Sequence, residues 1–155
     1  MPDPPIWDIL RDDHRELADI VSRLGGADDE AARELVARLT REFTAHARAE
    51  EAVVYGLLLH DESIGPRVLT ALEEHKRIET AVAELERIHV GDERWSTRLA
   101  VFGDLLREHV QAEENELLAR ARQTLSELQA SELGQRFAAE RARLMRDLSD
   151  LDAPP

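Results

Sequence analysis

The sequence predicts an all-α fold, an up-down-up-down four-helix bundle with an additional C-terminal helix. Three observations lead there. Helix-forming Ala, Leu, Glu and Arg dominate, and β-branched alternation is nowhere sustained. Apolar residues recur at steps of three and four, the spacing of one helix face. Gly-Gly, Gly-Pro and Gly-Asp pairs cut the chain into long segments joined by short links, which favour antiparallel neighbours. At 155 residues with 43% hydrophobic content the chain has the material for one core. A single domain over 1–155 is expected, with a core bundle at about 5–124 and a helical extension at about 125–150.

Taken in order, Asp3 before Pro4-Pro5 reads as an N-cap with prolines in the first turn. The first helix carries Ile6, Leu10, His14, Leu17, Val21 and Leu24 on one face and stops at Gly25-Gly26. Asp28 or Asp29 caps a second helix running to about His60, with Gly56 near its end and Gly65-Pro66 beyond. Its stripe is Ala32, Leu35 or Val36, Leu39, Phe43, His46, Glu50, Val53 and Leu57. The third helix, about Pro66 to Val90, turns Val68, Leu72, His75, Ile78, Val82 and Leu85 inward and ends at Gly91-Asp92. The fourth, about Glu93 to Thr124, gives Leu99, Phe102, Leu106, His109, Glu113 and Leu117. Leu125 and Leu128 lead into a last helix with Ser131 as its expected cap and Leu133, Phe137, Leu144 and Leu148 packed on the bundle. Asp152 to Pro155 reads as a frayed tail.

Polar residues interrupt these apolar stripes at matching depth. His46 and Glu50 lie one turn apart on the second helix, and His109 and Glu113 repeat the pair on the fourth. His14 and His75 supply the same residue type from the other two helices. Glu79, one turn after His75, lies on the same stripe or, since Ile78 shares that face, at its edge. Histidine and ionised glutamate are costly to bury unless they pair or coordinate a cation, so a mid-bundle metal site is expected. Imidazole and carboxylate without thiolate suit iron, manganese or zinc, whereas calcium and magnesium favour all-oxygen shells. Six or seven ligands are too many for one tetrahedral zinc, and two metals bridged by carboxylates fit better.

These residues resemble the hemerythrin-like proteins, the HHE cation-binding domain family. The pattern is Asp13-His14 on the first helix, His46-x-x-x-Glu50-Glu51 on the second, Glu74-His75 on the third and His109-x-x-x-Glu113-Glu114 on the fourth, over roughly residues 6 to 120. The resemblance implies a non-haem di-iron centre with an oxo or hydroxo bridge. In it Glu50 and Glu113 are the bridging carboxylates, His14 and His46 hold one iron, and His75 and His109 hold the other. Oxygen-carrying hemerythrins place a second histidine one turn after the third-helix histidine. Glu79 stands there in this chain, as a third carboxylate ligand or as a surface acid paired with an arginine. The metal set is therefore His14, His46, Glu50, His75, Glu79, His109 and Glu113, with no catalytic residue expected beyond it.

Tyr55 falls about half a turn out of phase with His46, so it is expected at the packing surface or rim unless the helix distorts near Gly56. His60 and His89 sit at helix ends, where histidine meets free carbonyls. Glu51, Glu74 and Glu114 flank ligands and are candidates for orienting imidazoles. Trp7 and Trp95 lie near helix starts as core or edge aromatics.

Composition narrows the function. With no cysteine, disulfides, thiolate zinc sites, iron–sulfur clusters and thiol catalysis are excluded. A net charge of −13 argues against nucleic acid and anionic membranes as partners. Met1 to Pro5 lack a signal-peptide pattern, and the longest apolar run, Ala52 to Leu59, is too short to span a bilayer. A cytoplasmic monomer or weak homo-oligomer is expected. The first functional reading is redox chemistry on hydrogen peroxide or nitric oxide, peroxidase-like, catalase-like or nitric oxide-reactive, with a reductant the sequence does not identify. The alternative is non-catalytic oxygen carriage, or sensing of oxygen or iron.

Overall fold

Helix punctuation decides the architecture. A computed structural model describes residues 3–152, which form five helices and no strand. Helix α1 spans Ile6–Leu24. Helix α2 starts at Asp29–Ala49 and continues without a break through a π-helical stretch, Glu50–Tyr55, and a last turn, Gly56–Leu58. Helix α3 spans Gly65–Glu86. Helix α4 runs through Trp95–Ala112, a second π-helical stretch at Glu113–Leu117, and Leu118–Thr124. Helix α5 spans Glu127–Asp152. The first four pack in a ring, α1 on α2, α2 on α3, α3 on α4 and α4 on α1, while α5 lies across α1 and α2.

Several ends differ from the sequence expectation. Asp28 does cap α2, its carboxylate accepting from the Ala31 N–H at 2.9 Å. Asp3 does not cap α1. That helix begins after Pro5 with no side-chain cap, and Asp3 turns to α5 instead, its carbonyl accepting from Ser131 Oγ at 2.8 Å and its carboxylate from Gln135. The cap of α5 is accordingly Ser126, whose Oγ accepts from the Gln129 N–H while Gln129 Oε1 accepts from the Ser126 N–H. This reciprocal pairing satisfies two orphan donors at once. Helix α3 stops at Glu86, short of Val90, because the turns after it fold Ile88 and Val90 onto the core. On α1 the inward position falls to Ile20 rather than Val21. Leu57 and Leu128 are exposed, not inward. The tail expected from Asp152 onward falls outside the described residues after Asp152 itself.

Close approach fixes where α5 lies. At Gly134 an added Cβ would meet Ile9 Cδ1 and the Pro4 carbonyl at 2.8 Å, so only glycine lets α5 cross the start of α1 this tightly.

The apolar interior is split in two. One cluster holds Leu17, Leu39, Phe43, Ile78, Leu85 and Phe102; the other holds Ile6, Leu10, Tyr55, Val68, Leu117 and Phe137. Between them lies a polar layer of His14, His46, Glu50, His75, His109 and Glu113, all buried. The two clusters shield this layer from water above and below. No helix among the described residues is long and apolar enough to cross a membrane.

Candidate metal centre

One turn separates His46 from Glu50 and His109 from Glu113, so α2 and α4 each aim an imidazole and a carboxylate at the bundle axis. His14 from α1 and His75 from α3 complete the layer. Donor atoms of His14, His46, Glu50 and Glu113 lie within 4.8 Å of one another, and so do donor atoms of Glu50, His75, His109 and Glu113. The two groups share both glutamates. His75 Nε2 stands 3.2 Å from Glu50 Oε1, and His46 Nε2 stands 3.7 Å from the same oxygen. Glu113 meets His14 Nε2 with Oε1 and His109 Nε2 with Oε2, each at 3.3 Å. Nε2 of His75 and His109 approach to 3.1 Å.

The outward face of each imidazole meets an acid from the preceding helix of the ring. Asp13 on α1 accepts from His46 Nδ1 at 2.9 Å, Glu51 on α2 from His75 Nδ1 at 3.0 Å, and Glu74 on α3 from His109 Nδ1 at 3.0 Å. Glu114 on α4 closes the ring at 3.7 Å from His14 Nδ1. A carboxylate can only accept, so the first three contacts place the proton on Nδ1 and leave an Nε2 lone pair facing inward, the tautomer a metal requires. Glu51 and Glu74 thus occupy the orienting positions the sequence suggested, while Glu114 stands beside His14 without a hydrogen bond to it. Arginines stand behind all four acids: Arg141 on Asp13 at 3.0 Å, Arg48 on Glu51 at 3.0 Å, Arg67 on Glu74 at 3.2 Å and Arg11 on Glu114 at 3.5 Å.

Inside the layer the polar groups are under-satisfied. His14 Nε2, His46 Nε2, both Glu50 oxygens and Glu113 Oε1 are buried without a hydrogen-bond partner among the described residues. Each such group costs about 1–3 kcal/mol if left alone, and a cation would satisfy them together. The protonation pattern carries the same strain. Burial and the Glu113 charge push the Glu50 carboxyl well above the usual range. Against its own burial, Glu113 is held well below that range by the neighbouring polar groups of Glu50, His109 and His14. Burial likewise disfavours charge on His14, yet Glu113 and Glu114 push it up to about 10. On His46 burial prevails over Asp13 and the pKa falls. Oxygen and nitrogen donors without sulfur suit a borderline transition metal.

Six of the seven expected ligands are brought together in this way. Glu79 is not among them: its carboxylate meets Arg48 Nη2 at 2.8 Å and is partly exposed, because Ile78 takes the inward position on α3. Tyr55 meets the exception the sequence allowed, a distortion near Gly56. It is buried, its ring stacks on His75 with centroids 5.3 Å apart, and its hydroxyl donates to Glu113 Oε2 at 2.5 Å. The π-helical stretch ending at Tyr55 supplies the reason, since each such bulge adds one residue and sets the phase back by about 100°. Both π-helical stretches begin at a shared glutamate, Glu50 or Glu113. Burial and the neighbouring Glu113 charge keep the Tyr55 phenol neutral, its pKa raised well above the ordinary value. Sequence reasoning also gave Asp13 no role of its own. Its place beside a ligand, like those of Glu51, Glu74 and Glu114, was the available signal.

A family model described as the hemerythrin HHE cation binding domain matches residues 6–121. Over 149 residues the chain is 26% identical to a Nostoc protein named DNA nickase, an alignment covering 94% of this chain and 42% of that protein. The chain therefore spans less than half the length of this curated relative. Its structure is similar to the crystal structure of a hemerythrin HHE cation binding domain-containing protein from Mycobacterium kansasii, with a TM-score of 0.82, 18% identity, and coverage of 93% of this chain and 89% of that one. This likeness bears on the fold.

Proposed function

Because the chain belongs to the hemerythrin HHE cation binding family, we propose that its buried cluster holds two iron ions and reacts with a small ligand, hydrogen peroxide or nitric oxide. The observation carrying this reading is the pair of overlapping donor groups that share Glu50 and Glu113. In it Glu50 and Glu113, common to both donor groups, would be shared between the irons, with His14 and His46 holding one and His75 and His109 the other. Glu79 stays outside the ligand set, on Arg48. When bound, the irons supply one-electron redox chemistry toward the small ligand. The protein's own groups do the rest. Asp13, Glu51 and Glu74 orient three of the imidazoles, the two apolar clusters keep bulk water out, and Tyr55 gives its phenolic proton to Glu113 while its oxygen stands 3.4 Å from His75 Nε2.

The reaction is catalase-like if peroxide serves as both oxidant and reductant, and peroxidase-like if a separate reductant supplies electrons. The protein is read as a cytoplasmic monomer or weak homo-oligomer. Reversible oxygen carriage is the second reading, and the carboxylate of Glu79 where oxygen-carrying relatives have a histidine weighs against it. A net charge of −13 offers little to neutralise phosphates and weighs against DNA cleavage, the activity in the Nostoc protein's name. The test is to follow peroxide and nitric oxide consumption by iron-loaded protein beside equal free iron, with supercoiled plasmid as a third substrate. Faster loss of peroxide or nitric oxide with intact plasmid is expected. Stable reversible oxygenation with no turnover would favour carriage.

A further inference from the structure

Asp13 differs from the other three acids beside the imidazoles in what stands behind it. Arg11, Arg48 and Arg67 belong to the first four helices, but Arg141 comes from α5, which lies beyond the residues matched by the family model. Its Nε donates to Asp13 Oδ2 at 3.0 Å, the same oxygen that accepts from His46 Nδ1 at 2.9 Å. A second contact from α5 reaches the same imidazole: the Phe137 ring stands edge-on to His46, with centroids 5.8 Å apart and 76° between planes. Phe137 is fully buried and Arg141 only partly exposed, so both contacts are fixed by packing. The other carboxylate near Arg141, Glu42, is farther, at 3.8 Å from Nη2, and is held at 3.0 Å by Arg38. Among the described residues, no hydrogen bond, ion pair or ring contact joins Arg141 or Phe137 to His75 or His109.

We propose that α5 is a positioning element for one half of the centre: Arg141 fixes Asp13 and Phe137 fixes the ring, so that together they set how tightly the metal on His14 and His46 is held while leaving the metal on His75 and His109 alone. The inference rests on the two-metal reading above. An arginine that loses Asp13 frees the carboxylate to rotate away from Nδ1, and the His46 ring then loses its fixed tautomer and orientation. Loss of an orienting partner typically weakens metal binding by about 10–100-fold, and Arg141, one group further out, belongs at the lower end.

The experiment is anaerobic titration of the metal-free full chain with Fe2+, counting bound metal after gel filtration, for the parent, Arg141→Gln, Arg141→Lys and Arg67→Gln. The parent should bind two irons. Arg141→Gln should bind its first as the parent does and its second about tenfold more weakly, with Arg141→Lys in between. In a His46→Ala background Arg141→Gln should have no further effect, whereas Arg67→Gln, behind Glu74 and His109, should still weaken uptake. Should Arg141→Gln fail to fold, Arg141→Lys carries the same comparison. Unchanged affinities in Arg141→Gln, equal weakening of both metals, or continued weakening in the His46→Ala background would overturn the proposal. A parent that binds fewer than two irons overturns the two-iron reading itself, and this inference with it.

Discussion

The Tyr55 ring lies nearly parallel to the His75 imidazole, 21° between planes, and carries its hydroxyl past that ring to Glu113 on the opposite helix. One side chain thus packs against an imidazole of the buried layer and donates to a carboxylate common to both donor groups. Tyr55→Phe keeps the packing and removes only the donor. A hydrogen bond to a charged group contributes about 1.5–3 kcal/mol, so the metal-free variant should be less stable by about that much in urea unfolding. Equal stability would mean that Glu113 does not depend on the phenol.

Metal should stabilise the fold strongly. Without it, two buried glutamates and four imidazoles share a layer in which several polar atoms lack partners. Metal at a hundred times its dissociation constant adds about 2.7 kcal/mol for one site. Thermal melts before and after chelation should therefore separate clearly, and coincident melts would argue against a buried cation site.

Bridging and terminal ligands should fail differently. Glu113 belongs to both donor groups and His14 to one. Glu113→Ala should lose both irons, whereas His14→Ala should mainly lose one. Equal iron content in the two purified variants would contradict the shared role of Glu113.

Glu79 and Glu51 both pair with Arg48, yet only Glu51 reaches an imidazole. Glu79→Gln should leave iron content and the optical spectrum unchanged. Glu51→Gln should weaken metal binding by about 10–100-fold through His75. Loss of iron in Glu79→Gln would restore Glu79 to the ligand set.

The contrast between these two acids shows what a sequence can and cannot carry here. Periodicity placed His14, His46, His75 and His109 on apolar stripes at one depth, because desolvation makes such residues conspicuous among Leu and Phe. It also brought Glu50 and Glu113 to the same layer. Glu79 was ambiguous because a residue beside Ile78 on α3 lies at the stripe edge, where a small rotation decides between the interior and Arg48. Tyr55 was left open because a helix of constant period puts it opposite His46 and only a distortion near Gly56 turns it inward; the π-helical stretch is that distortion, and nothing in the residue types marks its extra residue. Arg141 and Asp3 join α5 to the start of the chain over separations of more than a hundred residues. No local pattern reports contacts of that range.

Iron stoichiometry tests the central claim most directly. Protein expressed with ample iron, or loaded anaerobically and freed of excess metal, should carry about two irons per chain, one for each of the donor groups that share Glu50 and Glu113. One metal per chain at saturation, whether iron or zinc, would contradict the dinuclear centre.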